Sequence, residues 1–147
     1  MIVNVEKEYC DALNAMAKPG GASSDKIEAV EKELGVVFPA PYRRFLAQYG
    51  AGMGTGFELA GIFEDTNNDE PPMWRSVLLA TKQLRRVWRG ALPNHLIPVA
   101  GDGQSMTFYI DTRSEAARIV AYGPGVDGQM VATSFKEFVV KVSKGEL

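Results

Sequence analysis

LIPVAGDGQSMTFYIDTR, residues 96 to 113, is the stretch from which the fold of this chain is read. Leu96, Ile97 and Val99 form a short apolar run, and Gly101-Asp102-Gly103 carries turn chemistry. A second run, Met106 to Ile110, returns with the aromatic and β-branched types that suit a pleated surface. The stretch predicts strand, glycine turn, strand, with Leu96 to Ile110 as an antiparallel hairpin.

Upstream, apolar residues recur at helical spacing. Val5, Tyr9, Ala12 and Met16 predict a first helix ending near Lys18, before Pro19-Gly20-Gly21. Asp25 with Glu28 has the form of a capping box, with Ser24 as a competing cap, and Ile27, Val30 and Leu34 give the apolar face of a second helix stopped by Gly35. A third helix has Pro41 in its first turn, Tyr42, Phe45, Leu46 and Tyr49 on one face, and Gly50 at its end; Arg43 and Arg44 point to solvent. Glycines at 50, 52, 54 and 56 invite comparison with a phosphate loop. Such loops run from a strand into a helix, whereas this run leaves a helix and enters a strand, Phe57 to Phe63. After the acidic stretch Glu64 to Pro72, a long helix carries the stripe Trp74, Val77, Leu78, Thr81, Leu84 and Trp88, with Lys82, Arg85, Arg86 and Arg89 opposite.

Downstream of the hairpin, Arg118 to Tyr122 predicts a strand, Gly123 to Gly128 a loop, and Met130 to Ala132 a last short strand. Ser134 with Glu137 repeats the capping-box spacing before Phe135, Phe138, Val139 and Val142 on a closing helix. Helices first, then strands joined by glycine turns, argue α+β with antiparallel pairing, since parallel strands need long crossovers. The expected architecture is a single domain: an antiparallel sheet with helices packed over one face, the Tyr42–Tyr49 and Trp74–Trp88 helices covering the hairpin. Trp74, Leu78, Phe45 and Phe135 are expected to be largely buried.

A chain of 147 residues suits one domain, and 46% hydrophobic with 23% charged residues is ordinary for a globular protein. Net charge −2 gives no global attraction to nucleic acid or to an anionic membrane. The single cysteine, Cys10, leaves no intrachain disulfide and no cysteine-rich zinc site, which suits a reducing cytoplasm. The first residues turn charged without an apolar core, so no signal peptide is expected, and no apolar run approaches the roughly 20 residues that span a bilayer.

Several local patterns then agree in order. An IEAVEKELG helix (27–35) leads into FPAPYRRFL (38–46) with Tyr49-Gly50; IPVAGDG (97–103) precedes a strand ending Tyr109-Ile110-Asp111, and TSFKEF (133–138) closes the series. This succession, over residues 26 to 142, resembles the SUKH superfamily, whose members include fungal regulators of cell-wall synthesis and many bacterial immunity proteins. The preceding residues 1 to 25 form an N-terminal helix and loop. The resemblance implies a non-enzymatic binding domain that takes no cofactor. Its partner would be a cognate toxin, often a nuclease, neutralised by occlusion in the bacterial cytoplasm. The alternative is an intracellular regulatory or scaffold protein akin to the fungal members.

The candidate partner-binding residues are acidic: Glu64, Asp65, Asp69 and Glu70, with Asp102, and Asp111 if the hairpin ends lie nearby. A cationic nuclease needs a positive surface for phosphates, and an inhibitor can cover that surface with carboxylates. The acidic stretch lacks the alternating spacing and terminal glutamate of a calcium loop, so no metal is expected there. His95, the only histidine, reads as a loop residue leading into a strand, and Cys10 as a partly buried small hydrophobe; no catalytic residue is assigned. The basic stripe on the long helix is read as cations near a helix C-terminus, where the dipole favours them, and direct nucleic-acid binding is not expected.

Overall fold

The computed structural model describes residues 5–54, 56–63, 74–101 and 105–147. Within them the chain forms α1 (Val5–Ala15), α2 (Ser24–Leu34), α3 (Ala40–Gln48), β1 (Gly52–Gly54), β2 (Phe57–Leu59), α4 (Val77–Trp88), β3 (Leu96–Gly101), β4 (Thr107–Asp111), β5 (Ile119–Gly123), β6 (Val126–Ala132) and α5 (Phe135–Ser143). The strands lie in sequence order as one sheet, every neighbour antiparallel. The architecture is α+β, and the hairpin at its centre pairs Leu96 with Asp111 and Ile97 with Ile110.

Side chains alternate across a strand, so each strand divides its residues between two faces. One face, under α1, α3 and α5, holds the main core: Ile97 and Val99, Phe108 and Ile110, Ile119 and Ala121 meet Leu13, Phe45, Phe135 and Phe138. Aromatic rings dominate it. Phe135 lies 5.3 Å from Phe45 and 5.4 Å from Tyr42, both edge-on, the arrangement favoured by ring quadrupoles. A bulge at Val99 between Pro98 and Ala100 turns two successive residues toward this core, and Val99's carbonyl accepts from Ala60 N–H at 2.7 Å. Helix α4 runs beside β3. Its first turn reaches the main core through Val77 and Leu78, while Leu84 joins Leu92, Leu96 and Tyr109 on the sheet's other side.

Buried polar side chains tie these layers together. Tyr42 donates to the Ala60 carbonyl at 2.6 Å, linking α3 to the end of β2. Glu31, buried on α2, accepts Phe38 N–H at 2.7 Å and the Arg43 guanidinium at 2.9 Å, so Arg43 bridges α2 and α3 instead of pointing into solvent. Thr81, buried as well, turns its hydroxyl onto the Val77 carbonyl at 2.6 Å within α4 and joins no second element.

The structure departs from expectation at several points, each for a local reason. The cap of α2 is Ser23, whose hydroxyl accepts from Lys26 N–H at 3.3 Å; Ser24 and Asp25 already lie inside the helix. Helix α4 starts at Val77, not Trp74, because Ser76 caps it and Gly61 pairs with Ser76 as a strand-like bridge that keeps the preceding chain extended. Trp74 and Leu78 are consequently half-buried, whereas Phe45 and Phe135 are fully buried. The predicted Phe57 to Phe63 strand stops at Leu59, and the glycine run upstream forms β1, whose outer edge is closed by Ala17 on Met53. Gly61 shows why glycine recurs here: a Cβ there would stand 1.7 Å from the Gly50 carbonyl oxygen. The loop read at 123 to 128 is only the tight turn at Pro124-Gly125, and β6 begins at Val126. Two irregularities in its pairing with β5 break the alternation that would have announced it.

Candidate functional site

Glu64, Asp65, Asp69, Glu70 and Asp102 lie outside the described residues. Their flanks are placed: Gly101 stands opposite Glu58, while the chain continues past Ala60 to Phe63 further along the sheet.

Asp111 takes a structural part. It is buried, and its carboxylate accepts from Arg113 N–H at 3.0 Å and from Arg118 Nε and Nη2 at 3.0 and 2.6 Å. Burial alone would push this carboxyl up; the hydrogen bonds from Arg118 and Arg113 outweigh it and hold the group below the usual aspartate range. Asp111 is thereby neutralised at the β4–β5 connection and offers no free negative charge to a partner.

His95 is half-buried just before β3, where its backbone carbonyl accepts from the Thr112 N–H and hydroxyl at 2.9 and 2.8 Å. Cys10 is exposed rather than partly buried, because Tyr9, Ala12 and Leu13 are the α1 residues that face the core. Among the described residues no group of three His, Cys, Asp or Glu side chains is placed to hold a metal ion. No described helix is long and apolar enough to cross a membrane.

The basic stripe divides in two. Lys82 pairs with Glu33, and Arg85 donates to the Leu34 carbonyl at 2.9 Å and the Asn94 carbonyl at 3.2 Å. Both therefore fasten α4 against the C-terminal end of α2. Arg86 and Arg89 are exposed, and their guanidinium groups have no ion pair or hydrogen bond among the described residues.

A concave surface that sequence reasoning missed lies on the sheet face away from the main core. Tyr109, Val120 and Tyr122 alternate onto it from β4 and β5, and the pairing of Val120 with Met130 and Tyr122 with Asp127 brings those β6 residues to the same side. Leu84 and Trp88 wall it from α4. The hollow between them measures about 440 Å³ and also takes in Thr107, Val126 and Asp127. Tyr122 stands edge-on to Tyr109 at 5.4 Å and to Trp88 at 6.4 Å. Gly128 permits this: at φ +75° it follows a backbone path that a side chain resists, and its Cβ would lie 2.9 Å from the Tyr122 hydroxyl. The adjacent Phe108 and Tyr109 were the available signal, since they put aromatic rings on both faces of β4.

A solved structure described as a protein from Pseudomonas syringae pv. tomato has the same fold, with a TM-score of 0.66 and 14% identity, covering 93% of this chain and 96% of that one. None of the curated proteins compared matches the sequence. The profile of the family described as SMI1-KNR4 cell-wall, a SUKH group, matches residues 2–144. With nearly the whole length matched and the α+β sheet in place, the chain belongs to the SMI1-KNR4 family of the SUKH superfamily.

Proposed function

We propose that this chain is a non-enzymatic binding protein of the immunity type, which neutralises a cognate toxin in the bacterial cytoplasm by covering the surface the toxin needs. Family membership supports a binding role. The observation that carries the reading is what the buried polar groups do. Glu31 and Asp111, the buried charged side chains among the described residues, and the buried Tyr42 hydroxyl each hold elements of the fold together, while the buried Thr81 hydroxyl bonds within its own helix. Catalytic groups, by contrast, are commonly held in a cleft with their reactive atoms free for substrate.

The proposed contact residues are Glu64, Asp65, Asp69, Glu70 and Asp102, facing a basic toxin such as a nuclease. Four of these carboxylates fall within one short stretch of a chain whose net charge is only −2, so a local use for the negative field accounts for the clustering. A second reading, an intracellular regulator or scaffold, is favoured by the cell-wall description of the matched family.

A survival assay separates the two. A toxin gene immediately upstream is expressed in a sensitive host with or without this chain. Protection from that toxin and not from unrelated toxins is expected for an immunity protein; equal killing in both strains contradicts it.

A further inference from the structure

We propose that the surface formed by α4 and the uncovered side of β4–β6 docks a second copy of this chain, giving a two-fold symmetric dimer. This goes beyond the toxin-binding reading and rests on different residues.

The first observation is shape. A ridge and a hollow lie side by side on the same surface. Helix α4 presents Val87, 68% exposed, while Leu84 and Trp88 from the same helix wall the hollow floored by Tyr109 and Tyr122. Met130, 54% exposed, extends the apolar area across β6. Trp, Tyr and Met are residue types enriched at protein interfaces, and here they cluster with an exposed valine.

The second observation is charge. Helix α4 contains no acidic residue, and Arg86 and Arg89 have no ion pair among the described residues. Asp127, exposed on the hollow's far wall, likewise has none among the described residues. A surface with a cationic ridge beside a hollow that carries the Asp127 carboxylate is complementary to itself. A two-fold axis places the α4 ridge of each copy in the hollow of the other and sets Arg86 and Arg89 against Asp127 twice over. An isologous contact of this kind needs no second type of surface, and it closes at two copies.

The third observation excludes the obvious competitor, pairing through the free edge of β6. Strand β6 is bulged twice along its pairing with β5, which makes it an irregular template for an added strand, and Lys141 Nζ already donates to its Val131 carbonyl at 3.0 Å.

The test is sedimentation equilibrium of the full chain from low micromolar to high micromolar concentration, with three variants. The parent is expected to reach twice the chain mass. Val87→Asp places a charge on the apolar ridge at a position already in solvent, so the fold persists by circular dichroism while the dimer weakens, its dissociation constant rising at least about tenfold. Arg86→Glu with Arg89→Glu is expected to weaken it as well, and adding Asp127→Arg to that pair is expected to restore it. A parent that stays monomeric throughout overturns the proposal. So does a dimer indifferent to Val87→Asp and to the charge reversals, since its contact then lies elsewhere. Protection against toxin by a folded, monomeric Val87→Asp protein is read separately, so loss of the dimer and loss of immunity remain distinguishable.

Discussion

The Tyr42 hydroxyl donates to the Ala60 carbonyl across 2.6 Å of fully buried space, joining the third helix to the start of the sheet. Burial raises the tyrosine's pKa far above its ordinary range, so the proton stays in place at any pH the fold tolerates. Tyr42→Phe removes the donor and leaves a buried carbonyl without its partner, which costs about 1–3 kcal/mol. Urea unfolding is expected to show a lower midpoint with an unchanged slope. An unshifted midpoint would mean that another donor reaches Ala60.

Phe45 is a packing counterpart. Its ring is fully buried and lies within 6.0 Å of the Tyr42 and Tyr49 rings and 5.3 Å of Phe135. Phe45→Ala is expected to lower stability by about 3–5 kcal/mol, combining lost burial with an unfilled cavity. Thermal unfolding checks it, and a loss below about 1 kcal/mol would show that neighbouring rings collapse into the space.

Asp111 makes the stability pH-dependent with a definite sign. Its carboxyl is buried, which opposes ionisation, yet Arg118 and Arg113 hold its pKa below the ordinary value of about 3.9. A group whose folded pKa is depressed stabilises the fold above the unfolded value, and that contribution is lost as pH falls through the folded value. Asp111→Asn should therefore be less stable than the parent at neutral pH, with the gap closing as the medium is acidified below about pH 4. A gap that stays constant with pH would show that the charge contributes nothing. Between the arginines, Arg118→Ala should cost more than Arg113→Ala. Arg118 gives two bonds at 3.0 and 2.6 Å, while Arg113's side chain reaches only 3.4 Å and its backbone donor survives truncation.

How much of this was readable in advance depended on the range of the interaction. The hairpin from Leu96, the Gly35 stop and the Ser134 cap are local chemistry, and the structure has all three, with Ser134 accepting Glu137 N–H at 3.1 Å. The family was legible too, because its motifs are also local. Arg43 was misjudged because its partner, Glu31, stands on another helix. Strand β1 was hidden in a glycine run, since its existence depends on Phe57–Leu59 and Ala17 lying on either side. The hollow beside Trp88 was missed for a related reason. Only the pairing of β5 with β6 sets Tyr122 beside Asp127, and irregular pairing of that kind leaves no periodic trace. The acidic candidates remain a sequence-based proposal.

Those acidic residues have a kinetic signature. If Asp65 and Asp69 steer a basic toxin, changing both to asparagine should slow association at low salt and hardly alter dissociation. The parent's association rate should itself fall as salt passes about 0.1 M, where screening shortens to about 10 Å. Stopped-flow or surface-based kinetics across a salt series reads both effects. Equal rates for parent and double variant at low salt would place the contact surface elsewhere.

The most direct measurement is a titration of the cognate toxin's activity with this protein, followed by separation of the two and assay of the recovered toxin. Neutralisation by occlusion predicts activity falling linearly to zero at a fixed stoichiometric ratio, and an unmodified, fully active toxin after separation. Inactivation by far less than a stoichiometric amount, or a recovered toxin that stays inactive, would show that this chain acts by chemistry. Full toxin activity at any excess of the protein would contradict the immunity account itself.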